Sequence, residues 1–105
     1  MARPEETWIH MRIEPEVREA IVSAVRAADP EARVWLFGSR VDDEAKGGDI
    51  DVAILSRSID LMARLRIRRA ILDRIGEQRL DLVVSRDGSG AFFALAIAKG
   101  VRLDE

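Results

Sequence analysis

Three aspartates and a Gly-Ser dipeptide are the residues of this chain whose types and spacing could support chemistry. Gly48-Asp49-Ile50-Asp51 opens the apolar run Val52-Ala53-Ile54-Leu55, and a third carboxylate, Asp81, interrupts Leu80-Asp81-Leu82-Val83-Val84. On a strand, side chains alternate between faces, so Asp49, Asp51 and Ala53 share one face while Ile50, Val52 and Ile54 share the other. Adjacent like charges repel unless a cation lies between or above them. The donors are hard oxygens, which favour Mg²⁺ or Mn²⁺ over zinc or copper. Two such ions about 3.5–4 Å apart, bridged by carboxylates, can hold a triphosphate and activate an attacking hydroxyl for in-line displacement. Phe37-Gly38-Ser39-Arg40 offers what the phosphates need: a glycine that permits close backbone approach, a hydroxyl and a guanidinium. Phosphoryl-type transfer depends chiefly on positioning and charge neutralisation, so a small protein can perform it.

These groups require a scaffold of strands and helices. Glu14-Pro15-Glu16 suits a first helical turn, and Val17, Ala20, Ile21, Ala24, Val25 and Ala28 recur at helical spacing until Asp29-Pro30 ends the helix. Val34-Trp35-Leu36-Phe37 is a continuous apolar run that predicts a strand buried on both faces. The aspartate strand runs from Asp49 to Leu55. Ser58 is a candidate N-cap for a helix to about Gly76, with an apolar stripe through Leu61, Leu65, Ile71, Leu72 and Ile75. Leu80–Val84 predicts a third strand, Asp87-Gly88-Ser89-Gly90 a turn, and Ala91–Lys99 a last helix ending at Gly100. The expected fold class is α+β, a small mixed sheet of three core strands flanked by helices. With 105 residues and no linker or repeat, one domain is expected, its core spanning about residues 14–103.

Composition narrows the function classes. A hydrophobic fraction of 48% and a charged fraction of 34% describe a globular chain. The absence of cysteine excludes disulfides, thiolate zinc sites and a cysteine nucleophile, and the single histidine, His10, stands near a terminus. The N-terminal stretch has no apolar run resembling a signal, and no segment approaches the roughly 20 apolar residues that span a bilayer, so a cytoplasmic location is expected and no membrane partner. A formal net charge of −2 gives no overall attraction for nucleic acid, so RNA is not expected as a direct ligand.

Gly38-Ser39, a short spacer and then Gly48-Asp49-Ile50-Asp51 resemble the signature of the polymerase-beta-like nucleotidyltransferase superfamily. In length the chain resembles its smallest members, the minimal nucleotidyltransferases, which are often paired with a small all-helical partner called HEPN in toxin–antitoxin modules. The resemblance runs from about Val17 to Leu103. It implies a nucleotidyltransferase fold, ATP as substrate and two Mg²⁺ ions, with Mn²⁺ a workable substitute. It also implies roles: Gly38 and Ser39, with Arg40 beside them, would bind the triphosphate; Asp49 and Asp51 would ligate both ions; Asp81 would ligate the catalytic ion beside the attacking hydroxyl. One departure follows Arg40, where many relatives carry small and basic residues and this chain has Val41-Asp42-Asp43-Glu44. Acids beside a triphosphate weaken its binding, so either they face solvent or affinity is low.

The activity implied is transfer of AMP from ATP to a hydroxyl of a protein partner, here an antitoxin that AMPylates and neutralises a HEPN-type toxin encoded nearby. The alternatives are a non-catalytic antitoxin acting by steric masking, and nucleotidylation of a small molecule or RNA. Because the chain contains no tyrosine, transfer to tyrosine would have to act on another molecule. The helix carrying Arg64, Arg66, Arg68, Arg69 and Arg74 is basic, and helical projection puts Arg68 on its apolar side. The simplest expectation is an aliphatic stem lying over the core with its charge reaching water, the alternative a face for an acidic partner or RNA.

Overall fold

A computed structural model of the chain describes residues 14–37 and 50–104. In chain order the described elements are α1 (Pro15–Ala28), β1 (Arg33–Phe37), β2 (Ile50–Leu55), α2 (Leu61–Ile75), β3 (Leu80–Ser85), α3 (Ala91–Lys99) and β4 (Val101–Arg102). They form an α+β fold around one mixed sheet of order β3-β2-β1-β4. β2 pairs antiparallel with β1 and parallel with β3, and β4 runs antiparallel to β1. The parallel β2–β3 pair needs a crossover, and α2 supplies it.

Each strand presents two distinct faces. Val34 and Leu36 of β1, Ile50, Val52 and Ile54 of β2, and Leu80 and Leu82 of β3 form the main core with Ile21 and Val25 of α1 and Ile67 and Ile71 of α2. Fully burying an aliphatic side chain of this size contributes about 1.5–3 kcal/mol, so this layer dominates folding. The opposite face carries a smaller cluster in which Trp35 and Ala53 pack against Phe93 and Ala96 of α3, with the Trp35 and Phe93 rings edge to face at 6.1 Å. β1 is therefore buried on both faces, as its unbroken apolar run requires.

Helix ends follow local chemistry. Pro15 sits in the first turn of α1, and the Asp29 amide closes its last turn on the Val25 carbonyl at 2.9 Å. α2 is capped by Asp60, whose carboxylate accepts from the Ala63 amide at 2.8 Å, so the expectation of Ser58 as N-cap is corrected. The Ser58 amide is engaged in the preceding turn, donating to the Ser56 hydroxyl. Gly76, at φ +88°, ends α2 in a conformation that disfavours side chains.

Two further expectations change. The buried row of α2 is Ala63, Ile67 and Ile71, while Leu61 and Leu65 are exposed. At 3.6 residues per turn those two leucines lie about a third of a turn or more from that row. The sheet also gains a fourth strand, β4, which the two-residue run Val101-Arg102 was too short to signal. Gly100 admits it: a Cβ there would stand 2.5 Å from the Ala96 carbonyl oxygen and 2.7 Å from that of Leu36. No helix among the described residues is long and apolar enough to cross a membrane.

Candidate active site

The parallel register of β2 and β3 makes Asp51 and Asp81 direct partners, and the antiparallel register of β1 and β2 places Phe37 opposite Asp51 on its other side. Neighbouring strands lie about 4.8 Å apart, so the row Phe37, Asp51, Asp81 crosses one edge of the sheet with both carboxylates on the same face. This is the face that α3 covers further along the strands through Trp35 and Ala53. The row stands where β1 ends and β2 and β3 begin, so the 38–49 connection departs from and returns to it.

Asp51 is half-buried and Asp81 more open, with 52% of its side chain exposed. Two unit charges about 5 Å apart repel by about 1–3 kcal/mol between water-like and surface-like dielectrics, and the exposure of Asp81 favours the lower figure. Arg79, two residues before Asp81 and hence on the same face, forms an ion pair with it at 3.8 Å. That cation was not singled out from the sequence, although an arginine two positions from an aspartate on a strand is the pattern that signals it. The start of β3 is tied to β2 by the Ile50 amide, which donates to the Arg79 carbonyl at 2.9 Å.

Of the residues singled out from the sequence, the structure brings Asp51 and Asp81 together. Gly38, Ser39, Arg40 and Asp49 lie outside the described residues, as do Asp42, Asp43 and Glu44. Among the described residues no group of three or more metal-binding side chains is assembled. Asp51 and Asp81 supply adjacent hard-oxygen donors, a set that suits a hard divalent cation.

The model of the family described as "Polymerase beta, Nucleotidyltransferase" matches residues 19–105. The chain belongs to this nucleotidyltransferase family. It is also 32% identical over 79 residues to a Haemophilus influenzae protein named "Probable protein adenylyltransferase MntA", a match covering 73% of this chain and 69% of that protein. This places the nucleotidyltransferase within the minimal branch of the polymerase-beta-like superfamily. The sheet and its three described helices agree with the nucleotidyltransferase fold.

Two polar networks hold the scaffold of this nucleotidyltransferase, and neither was legible in its motifs. The Asp104 side chain, only 2% exposed, accepts from Arg102 at 2.6 and 2.9 Å, from Arg26 at 3.0 Å and from the Val34 amide at 2.9 Å. Burial opposes ionisation of this carboxyl, but the bonds from Arg102 and Val34, helped by Arg26, outweigh it and hold Asp104 below the usual carboxylate range. It thereby fastens the chain after β4 to β1 and α1. At the far end of the sheet the Ser56 hydroxyl donates to Asp29 at 2.5 Å and accepts from the Ser58 and Ile59 amides at 3.2 Å. The Ser56 bond, with the Glu31 amide adding to it, lowers the Asp29 carboxyl. This network joins the end of α1 to the turn between β2 and α2.

Proposed function

We propose that this nucleotidyltransferase moves AMP from ATP to a hydroxyl of a partner protein, as the antitoxin that silences a HEPN-type toxin. The observation that carries the catalytic part is the in-register pair Asp51 and Asp81 on one sheet face, beside the connection that bears Gly38 and Ser39. In-line phosphoryl-type transfer assisted by divalent cations needs carboxylates to hold those cations. The adenylyl group and the protein acceptor rest on the name of the H. influenzae relative, and the toxin partner on the resemblance to minimal nucleotidyltransferases.

In this reading Gly38, Ser39 and Arg40 hold the triphosphate, and Asp49, Asp51 and Asp81 hold divalent cations. Mg²⁺, when bound, would neutralise phosphate charge and favour the ionised acceptor hydroxyl. Asp81, the more exposed of the described pair, orients that hydroxyl. Its oxygen attacks the α-phosphorus, the bond from that phosphorus to the bridging oxygen breaks, and pyrophosphate leaves in line. The hydroxyl proton passes to Asp81 or through it to water. The chain has no tyrosine, so a tyrosine acceptor belongs to the partner.

The test mixes the purified chain with α-labelled ATP, Mg²⁺ and the protein encoded beside it, comparing wild type with Asp49→Ala and Asp51→Asn. Label on the partner with wild type alone supports the proposal and names the acceptor. A stable complex that neutralises the toxin without label would replace it with steric masking. Label on a small molecule or RNA without the partner would replace the protein acceptor.

A further inference from the structure

We infer that Arg68 is a positioning residue for the candidate catalytic carboxylate Asp81. The inference rests on the transferase reading of the Asp51–Asp81 pair. Among the described residues β3 is an edge strand, with β2 on one side and no strand on the other. In a parallel ladder the backbone groups of successive residues point alternately to the two sides. The Ile50 amide bonds the Arg79 carbonyl, so the Arg79 carbonyl faces β2 and the Leu80 carbonyl faces the open edge. The Arg68 guanidinium donates to that Leu80 carbonyl. The peptides leading into Asp81 are therefore held from both sides, by β2 within the sheet and by α2 outside it.

Position explains why this matters for Asp81 more than for the rest of β3. Leu80 is the first residue of the strand, where an edge frays most readily, and Asp81 follows it directly. Only the placement of Asp81 across from Asp51 keeps the two carboxylates in one row. A slip of one residue would turn Asp81 to the core face. Arg68 is half-buried on α2 with its guanidinium donating to a backbone carbonyl, not simply reaching water, which accounts for a charged residue on that side of the helix. A lysine could supply one donor to the same carbonyl but not the fixed planar geometry of a guanidinium.

The experiment compares full-length wild type, Arg68→Met, which keeps an apolar stem without donors, and Arg68→Lys. Asp60→Ala serves as a control that weakens α2 at its far end without touching Leu80. Three quantities are read on folded protein: Mn²⁺ affinity from the free-ion spin-resonance signal, kcat and KM for ATP in labelled transfer, and hydrogen exchange at the Asp81 amide. Arg68→Met is expected to weaken Mn²⁺ binding at least about fivefold and lower kcat about tenfold with KM for ATP within about twofold. It should also speed Asp81 exchange about tenfold. Arg68→Lys should recover part of each loss, and Asp60→Ala should leave Mn²⁺ affinity and Asp81 exchange as in wild type. Wild-type affinity, kcat and Asp81 exchange in Arg68→Met would overturn the inference, as would equal losses in Asp60→Ala. If wild type itself takes up no Mn²⁺ and transfers no label, the transferase reading fails, and the inference falls with it whatever the exchange rates.

Discussion

Replacing Asp104 tests whether one buried carboxylate fastens the chain after β4 to the rest of the fold. Asp104→Ala removes the acceptor for the Val34 amide and the anion shared by Arg102 and Arg26. Loss of the backbone bond costs about 1 kcal/mol. The two ionic contacts are worth less than fully buried ones, because Arg26 and Arg102 keep 41% and 27% of their side-chain exposure and can rehydrate. Allowing about 0.5–1 kcal/mol for each, the total is about 2–3 kcal/mol, or a fall in melting temperature of about 10–20 °C for a chain of this size. Asp104→Asn keeps volume and one acceptor, so about 1–2 kcal/mol is expected. The pH dependence has a definite sign. The folded carboxyl lies below its ordinary value of 3.8, so its contribution is complete above that value and is lost as pH falls through the folded pKa. The gap between wild type and Asp104→Asn should therefore be full at pH 7 and shrink below about pH 4. Urea melts across that range measure it. A cost under about 0.5 kcal/mol for Asp104→Ala at pH 7, or a gap that persists unchanged at pH 3, would refute this account of the network.

Other perturbations probe other parts. Gly100→Ala places a methyl against two backbone carbonyl oxygens at 2.5 and 2.7 Å, neither of which can rotate aside, and should destabilise by about 1–3 kcal/mol in thermal melts. Asp60→Ala removes the cap bond to the Ala63 amide and should cost about 1 kcal/mol, with Asp60→Asn recovering most of it; equal losses in both would mean that the cap is not the source. Asp81→Asn without metal should stay within about 0.5 kcal/mol of wild type, since relief of repulsion from Asp51 offsets the exposed Arg79 pair. Mg²⁺ at ten times its dissociation constant should then stabilise wild type by about 1.4 kcal/mol and Asp81→Asn by much less, and equal melting shifts would count against Asp81 as a ligand.

Periodicity and punctuation carried most of the architecture. Pro15 and Pro30 bracket α1, Gly100 ends α3, and the unbroken run at β1 announced a strand covered on both sides, because these signals act within a few residues of backbone. The alternation in β2 and β3 likewise agrees with the faces that Asp51 and Asp81 take, and the family resemblance rested on residues that can be read in order along the chain. What the sequence could not decide is what meets across space. That Asp51 and Asp81 are register partners depends on the parallel pairing of β2 with β3, and a pairing shifted by one residue would have left the same local pattern. The roles of Arg68, Asp104 and Ser56 are of the same kind: each satisfies a group far away in the chain or at an element's end, and its meaning exists only once the sheet has an edge, a terminus and a turn to hold. Local preference determined the elements of this protein, and burial of their apolar faces against one another determined which polar groups became neighbours.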